Sequence, residues 1–499
     1  MLKKVIADEV AERLVIGGAK TFDKVLYFYL SPDKKCLILS SSAKELLNHV
    51  LSLGYPLTLS LKGISFFLQS GVIPTPSTIY EEVYVLSIGD YAAITSREGK
   101  LEIEFYHEFP YPNSKRIPGK KAELDKILSL LANSILRKID PLRKIFLFQS
   151  VGKDSNTILL ALIEAGLKDN ATALTLALPG SKKDESGLAS EIAKKVGVRH
   201  KKLFLPKSIN SRDWDLFIRY FENIPFPCAD GASLAYPLYQ LTFDLSESNI
   251  LDGSGVDYYF GHVPRPIEYK RQKLYPKFKF LRPIGEALSS GNLFHKLSRA
   301  RCEMAGFIGI TLSDLKKFFP EAIPIYPYWF SEDEKRKGWD YFDLKADVWA
   351  THAELGNVIR KVSNFAEVFN ANLVLPFADE DLADYVGSLD EAEVFDRKNF
   401  KNKLPLRKLL YERLGLDSDK IGKYSYSFPT FEVLENLLKD RVKEEILNCK
   451  LWDRKEMEKF YKILEERAKN DKLWQRIFER LFLLSAFLNH SKFLNLKKS

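Results

Sequence analysis

Apolar and polar positions divide this chain into a β-rich start, an alternating middle and a helical end. Val25–Leu30 and Cys36–Ser41 are apolar runs on either side of Ser31-Pro32-Asp33-Lys34, which predicts a hairpin. Ala43–Leu53 has helical spacing. Gly71-Val72-Ile73-Pro74-Thr75-Pro76 predicts an extended loop, because each proline disfavours helix in the residue before it. Val83–Leu86 and Tyr91–Thr95 flank Gly89-Asp90 and predict a second hairpin. Asn113–Lys121, with Pro118-Gly119, reads as a linker. A helix from Ala122 leads into the apolar run Ile145–Phe148, a buried strand. Beyond it the pattern predicts a strand at Ala171–Leu178, a helix at Glu185–Val196, and strands at Lys201–Leu205 and Asn249–Leu251. Strands alternating with helices imply a parallel sheet, with ligands at the carboxyl ends of its strands. Residues 285–490 are mainly helical, and no repeat or low-complexity tract interrupts them.

Composition narrows the class without naming a function. A length of 499 residues allows about three domains. The net charge of +9 is modest for that length. Basic residues gather at Lys270–Lys279 and Arg397–Lys408, but no RNA-binding module accompanies them. A basic rim around an anionic substrate explains them equally well, so nucleic acid is not expected as a partner. Cys36, Cys228, Cys302 and Cys449 are far apart and form no C-x-x-C pair, which argues against a zinc ribbon. Buried free thiols in a reducing cytoplasm are expected instead. No signal peptide opens the chain. The late apolar run Ile477–Leu488 is too short to span a bilayer and contains Glu479 and Arg480. It reads as a core helix, and no membrane partner is expected.

The chemistry concentrates where the strand Ile145–Phe148 breaks into Ser150-Val151-Gly152-Lys153-Asp154-Ser155. The amphipathic positions Ile158, Leu159, Leu162 and Ile163 then mark a helix. A strand, a tight Gly turn and a helix N-terminus make a phosphate cradle of backbone N–H groups and dipole. Ser150 and Ser155 add hydroxyls. Asp154 would repel a phosphate unless it held a metal, which suggests Mg²⁺. No Gly-Lys-Ser/Thr closes the loop, so it is not a Walker A motif. It resembles the Ser-Gly-Gly-x-Asp-Ser loop of ATP pyrophosphatases, which cleave ATP to AMP and pyrophosphate. Val151 departs from that pattern: a β-branched residue stands where those proteins have Gly.

Further segments extend the resemblance to the asparagine synthetase family, with its β-lactam synthetase and lasso-peptide cyclase relatives. Leu174-Thr175-Leu176-Ala177-Leu178 is similar to the family's second sheet strand. Ile250-Leu251-Asp252-Gly253-Ser254-Gly255-Val256-Asp257-Tyr258-Tyr259-Phe260-Gly261 resembles its Leu-Ser-Gly-Asp/Glu-Gly-x-Asp-Glu-Leu-Phe-Gly segment. Leu375–Asp379 resembles Val-Pro-Phe-Leu-Asp, Lys403–Arg407 matches Lys-x-x-Leu-Arg, and Lys423–Pro429 resembles Lys-x-Gly-Phe-Gly-x-Pro. All fall in the family's order. Gly71–Tyr91 and Tyr27–Leu47 look like the later half of the family's glutaminase domain.

The resemblance implies an α/β fold. Residues 122–499 would form a parallel-sheet ATP-pyrophosphatase synthetase domain with a helical C-terminal part. Residues 1–112 would be a small β-rich, truncated glutaminase-like domain, joined by the linker 113–121. It implies ATP and Mg²⁺ as cofactors. Ser150, Gly152, Asp154 and Ser155 would cradle phosphate. Leu174, Asp252 and Gly253 would flank the nucleotide. Asp154 and Asp257 would bind Mg²⁺, and Lys403 with Asp257 would act on the adenylate and pyrophosphate. Glutamine-using members carry Cys directly after the initiator Met; Leu2 stands there, so no glutaminase activity is expected. Ser254, Tyr258 and Asp252 also depart from the family pattern, so its general base is not carried over.

The implied function is a cytoplasmic AMP-forming ligase that adenylates a small-molecule or peptide carboxylate and passes it to ammonia or a substrate amine. A separate protein could complete the truncated domain or supply ammonia. The alternatives are a β-lactam or lasso-type ring-forming synthetase, a non-catalytic nucleotide-binding scaffold, and a tRNA-modifying pyrophosphatase.

Overall fold

Seven strands precede residue 110 in the computed structural model, which describes residues 2–10, 12–422 and 428–494. Lys423, Tyr424, Ser425, Tyr426 and Ser427, from the Lys423–Pro429 segment noted above, lie outside the described residues. In chain order the seven are β1 (Lys3–Ile6), β2 (Leu14–Gly17), β3 (Leu26–Leu30), β4 (Cys36–Ser40), β5 (Val83–Leu86), β6 (Asp90–Arg97) and β7 (Lys100–His107). They form two antiparallel sheets, ordered β1-β4-β3-β5 and β2-β6-β7. The sheets meet face to face: Phe28, Leu37, Leu39 and Leu86 of the first pack with Ala92, Ile94 and Leu101 of the second. Tyr27, Tyr29 and Ile38, their chain neighbours, point to the opposite face. There they join α1 (Ala43–Ser52), α2 (Leu61–Ser70) and the rest of the chain in the main core. Burial on both faces explains why β3 and β4 read as continuous apolar runs.

The β3–β4 hairpin is present, with Tyr27 opposite Ser40. The second expected hairpin is not. Val83–Leu86 and Tyr91–Thr95 lie in different sheets: β5 pairs with β3, while β6 pairs with β2 and β7. Gly89, at φ +73°, turns the chain, and its N–H donates to the Ala19 carbonyl at 2.9 Å. The Gly89-Asp90 turn is a corner between sheets. Turn residues mark a change of direction; they do not choose the neighbouring strand.

The helix α3 (Leu124–Lys138) leads into a five-stranded parallel sheet ordered β10-β9-β8-β11-β12. Its strands are β8 (Ile145–Phe148), β9 (Ala171–Leu176), β10 (Arg199–Leu203), β11 (Asn249–Leu251) and β12 (Asn372–Val374). Strand β10 starts two residues before the expected Lys201. It is an edge strand, and its run of Arg199, His200, Lys201 and Lys202 hides its start from hydropathy. The helices α4 (Lys153–Glu164) and α5 (Ser186–Lys195) follow β8 and β9. Helices dominate beyond residue 265, and the expected core helix runs from Lys472 to His490. All four cysteines are buried free thiols. No helix among the described residues is long and apolar enough to cross a membrane.

His107 fastens the β-rich layer to the helical part. Its Nδ1 lies 2.8 Å from Asp90 Oδ1 and its Nε2 lies 2.7 Å from Asp347 Oδ1. Burial disfavours the imidazolium, but Asp347 and Asp90 outweigh it and raise the His107 pKa to about 10 from 6.5. A raised histidine contributes stability in full below 6.5 and loses it as pH rises through about 10. His107→Gln is therefore expected to cost about 3 kcal/mol at neutral pH, because it leaves buried Asp347 short of a cationic partner. Urea melts across this window should show the gap between wild type and variant closing toward alkaline pH. A pH-independent gap would show that the imidazolium is not the fastening group.

Candidate active site

The carboxyl ends of β8, β9 and β11 open on one cavity of about 280 Å³. Every site residue expected from the sequence lines it: Ser150, Gly152, Asp154, Ser155, Leu174, Asp252, Gly253, Asp257 and Lys403. The cradle is built from short local bonds. Gln149 N–H still pairs with the Leu174 carbonyl at 2.8 Å, as if β8 continued. The chain then turns. Ser155 Oγ accepts the Ser150 N–H at 3.1 Å, and Gly152 N–H donates to Ser150 Oγ at 3.0 Å. A Cβ on Gly152 would sit 2.9 Å from that Oγ, so the turn favours Gly. Helix α4 starts at the next residue with its N-terminal turn on the cavity, and the N-terminus of a helix favours an anion.

Val151 fits this turn. Its φ is negative, its side chain is buried in the main core, and its N–H donates to Glu185 Oε2 at 3.0 Å. The loop conformation does not need Gly there. Val151→Gly is expected to cost about 2 kcal/mol, through lost burial and added chain entropy, and to leave Mg-ATP affinity unchanged. Calorimetric titration of both proteins checks this. A variant that bound at least ~10-fold tighter would show that Val151 obstructs the phosphate.

Lys403 organises the charge. It caps the helix Leu404–Leu414 with a left-handed backbone, φ +54°, and is only 4% exposed. Its Nζ lies 2.8 Å from both Asp154 carboxylate oxygens and 2.7 Å from Asp257 Oδ1. Burial works against the ammonium, but these two carboxylates outweigh it and raise its pKa. Asp257 is held well below the usual carboxylate range: Lys403 and His262 overcome its burial. His262 Nδ1 stands 3.7 Å from Asp257 Oδ2, and its ring stacks on Trp349 at 4.6 Å.

The Asp252–Asp257 loop approaches the cradle closely. A Cβ on Gly253 would lie 3.1 Å from Asp154 Cβ. Asp252 Oδ1 accepts the Ser254 N–H at 2.9 Å and also the Ser254 hydroxyl. Tyr258 turns away from the cavity. Its hydroxyl donates to the Lys20 carbonyl at 3.0 Å and its ring packs edge-on against Phe22. It joins the sheet domain to the β-rich layer.

Two ionisable residues on the cavity wall escaped the sequence reading. Glu354 belongs to the π-helical stretch Trp349–Ile359 and is 2% exposed. Its Oε1 accepts the Gly255 N–H at 2.7 Å, while Oε2 has no hydrogen-bond partner. Burial, with Asp257 nearby, pushes its pKa up to about 8. Lys361 also lines the cavity, with Nζ 3.1 Å from Asp230 Oδ2. Burial opposes its charge, but Asp230 and Asp252 hold its pKa above the usual value. Polar residues inside an apolar helical run are a signal of buried function, and His352 and Glu354 supply it.

The residues suit a magnesium ion shared with phosphate. Asp154 and Asp257 meet at Lys403 Nζ, yet their side chains line the cavity and stay 33% and 27% exposed. Two carboxylates plus phosphate oxygens and water meet the octahedral demand of Mg²⁺. Among the described residues no cluster of three or more His, Cys, Asp or Glu forms an all-protein metal cage. No curated protein matches the chain. The asparagine synthase family model matches residues 126–488, well over half of the chain and the whole cavity wall. The chain belongs to the asparagine synthase family, one of ATP-dependent amide-forming ligases.

Proposed function

We propose that the protein joins a carboxylate to an amine through an acyl-adenylate, releasing AMP and pyrophosphate. The observation that carries this is Lys403, buried between Asp154 and Asp257 beside an anion cradle. A buried cation flanked by two carboxylates suits a reaction in which a pyrophosphate leaves. Ser150, Gly152, Ser155 and the first N–H groups of α4 bind the triphosphate, and Leu174, Asp252 and Gly253 flank the nucleoside. A substrate carboxylate oxygen attacks the α-phosphorus, the bond to the bridging oxygen breaks, and pyrophosphate departs. Asp154 and Asp257 would hold Mg²⁺, which supplies charge neutralisation to that leaving group. Lys403 offsets the same developing charge from the protein side. The amine then attacks the acyl carbon, AMP leaves with both electrons of its bond, and the amine loses a proton.

Glu354, in its ionised form, takes that proton. One of its oxygens is fixed by the Gly255 N–H, and the other has no protein partner. Glu354→Gln should lower amide formation by ~10²-fold, the scale of a lost general base. Carboxylate-dependent exchange of pyrophosphate into ATP, which needs no base, should stay within ~3-fold of wild type. Equal loss of both would remove Glu354 from this role.

The amine is ammonia or an amine of the substrate, and a substrate carrying both groups would close a ring. A separate protein completing the β-rich layer could deliver ammonia. All four thiols are buried, and burial pushes Cys228 and Cys449 up to about 12, so none is placed to attack glutamine. The reading is tested by supplying Mg-ATP with a panel of carboxylates and amines. AMP and pyrophosphate dependent on the carboxylate support it; ADP and phosphate, or no turnover with measurable Mg-ATP binding, overturn it.

A further inference from the structure

The segment 265–297 follows the site loop and forms a cluster of short helices. Helix Tyr275–Phe278, the turn Lys279–Leu281, helix Arg282–Ala287 and helix Leu293–Leu297 pack on one another. Seven of the twenty exposed large apolar side chains among the described residues lie between Ile267 and Phe294. Phe280, Ile284 and Leu288 follow at four-residue spacing, with Leu293 and Phe294 on the neighbouring helix. Phe280 is 70% exposed and Leu293 64%. Cations surround them: Lys270, Arg271, Lys273, Lys277, Lys279 and Lys296 are all exposed. The segment's only two acidic residues, Glu268 and Glu286, are buried. Glu268 pairs with Lys345 and Arg265, and Glu286 with Arg282. The exposed surface of this segment therefore carries cationic and apolar groups and no anion.

We propose that this face docks on the surface of an anionic lipid bilayer. The sequence alone argued against a membrane because no helix is long enough to span one; a peripheral site needs no span. Short helices with lysines beside protruding Phe, Leu and Ile match the interface between headgroups and acyl chains. The cations answer anionic headgroups, and the apolar side chains reach past them. Nucleic acid would use the charge but not the aliphatic groups. A second copy of the chain would set two cationic faces against each other, which opposes pairing. The face is also close to the reaction. Tyr269, on the helix Pro266–Gln272, packs its ring on Phe400, 5.7 Å between centroids and three residues before Lys403.

Sedimentation with vesicles tests this on the full chain. Vesicles of phosphatidylcholine mixed with phosphatidylglycerol should carry the protein down, and vesicles of phosphatidylcholine alone should not. The double variant Phe280→Ser/Leu293→Ser should bind at least ~10-fold more weakly, and raised salt should weaken the wild type. These side chains are exposed, and an unchanged melting temperature confirms that the variant is folded. Absence of binding to anionic vesicles overturns the proposal. So does equal binding by the variant. A wild-type dimer that the double variant converts to monomer would assign the face to a second copy, and retention on RNA without vesicle binding would assign it to nucleic acid; each overturns it.

Discussion

Lys403→Met is expected to cut ATP-dependent pyrophosphate release by at least ~10³-fold, the scale of removing one charged group aimed at a transition state. Its ammonium is the point on which Asp154 and Asp257 converge. Methionine matches the length of the stem and removes only the charge. Lys403→Arg should not restore turnover: a longer, planar guanidinium does not place one nitrogen where the ammonium meets both Asp154 and Asp257. A second readout separates this role from folding. Without the ammonium, two carboxylates face each other uncompensated, so millimolar Mg²⁺ should raise the melting temperature of the Met variant more than that of wild type. Wild-type turnover by Lys403→Met would remove the lysine from the reaction.

Asp257→Asn and Asp154→Asn should each lower pyrophosphate release by at least ~10²-fold, a loss of about 3 kcal/mol of transition-state electrostatics. Both variants should also lose stability. A solvated cleft would make both neutral, but the fold places Asp154 and Asp257 against one buried ammonium. Either substitution leaves that ammonium short of a partner and should cost about 1–3 kcal/mol at neutral pH. Asp257 is depressed below 3.8, so its contribution is present above that pH and fades as the pH falls through its lower folded value. Urea melts should therefore show the stability gap narrowing only in acid. Near-normal pyrophosphate release from both variants would mean that the carboxylates hold no catalytic metal.

Much of the candidate site was legible in the chain. The Ser150–Ser155 turn, the Asp252–Asp257 loop and Lys403 were visible because each is local: a strand end, a tight turn and a helix start leave marks within a few residues. Glu354 was not: polar positions in an apolar run mark a buried group, but only the fold shows that this helix lands on the cavity. Tyr258 shows that a place beside a site residue in the chain does not decide a role. It sits one residue after Asp257, yet its side chain serves the β-rich layer rather than the cavity.

By itself the sequence determined the alternation of strands and helices that makes a parallel sheet and the local turns that line its cavity, since these follow from hydrophobic period and backbone preference; β1, β2, β7 and β12 went unread. Only the tertiary structure decided which strand β6 would join and that Glu354 would reach the cavity wall with one buried oxygen unpaired. It also left Phe280, Ile284, Leu288, Leu293 and Phe294 exposed on the segment that carries the exposed lysines. Lys403 and Asp154 stand 249 residues apart in the chain. Their charges matter to each other only when folding brings them within hydrogen-bond distance and removes the water that would screen them.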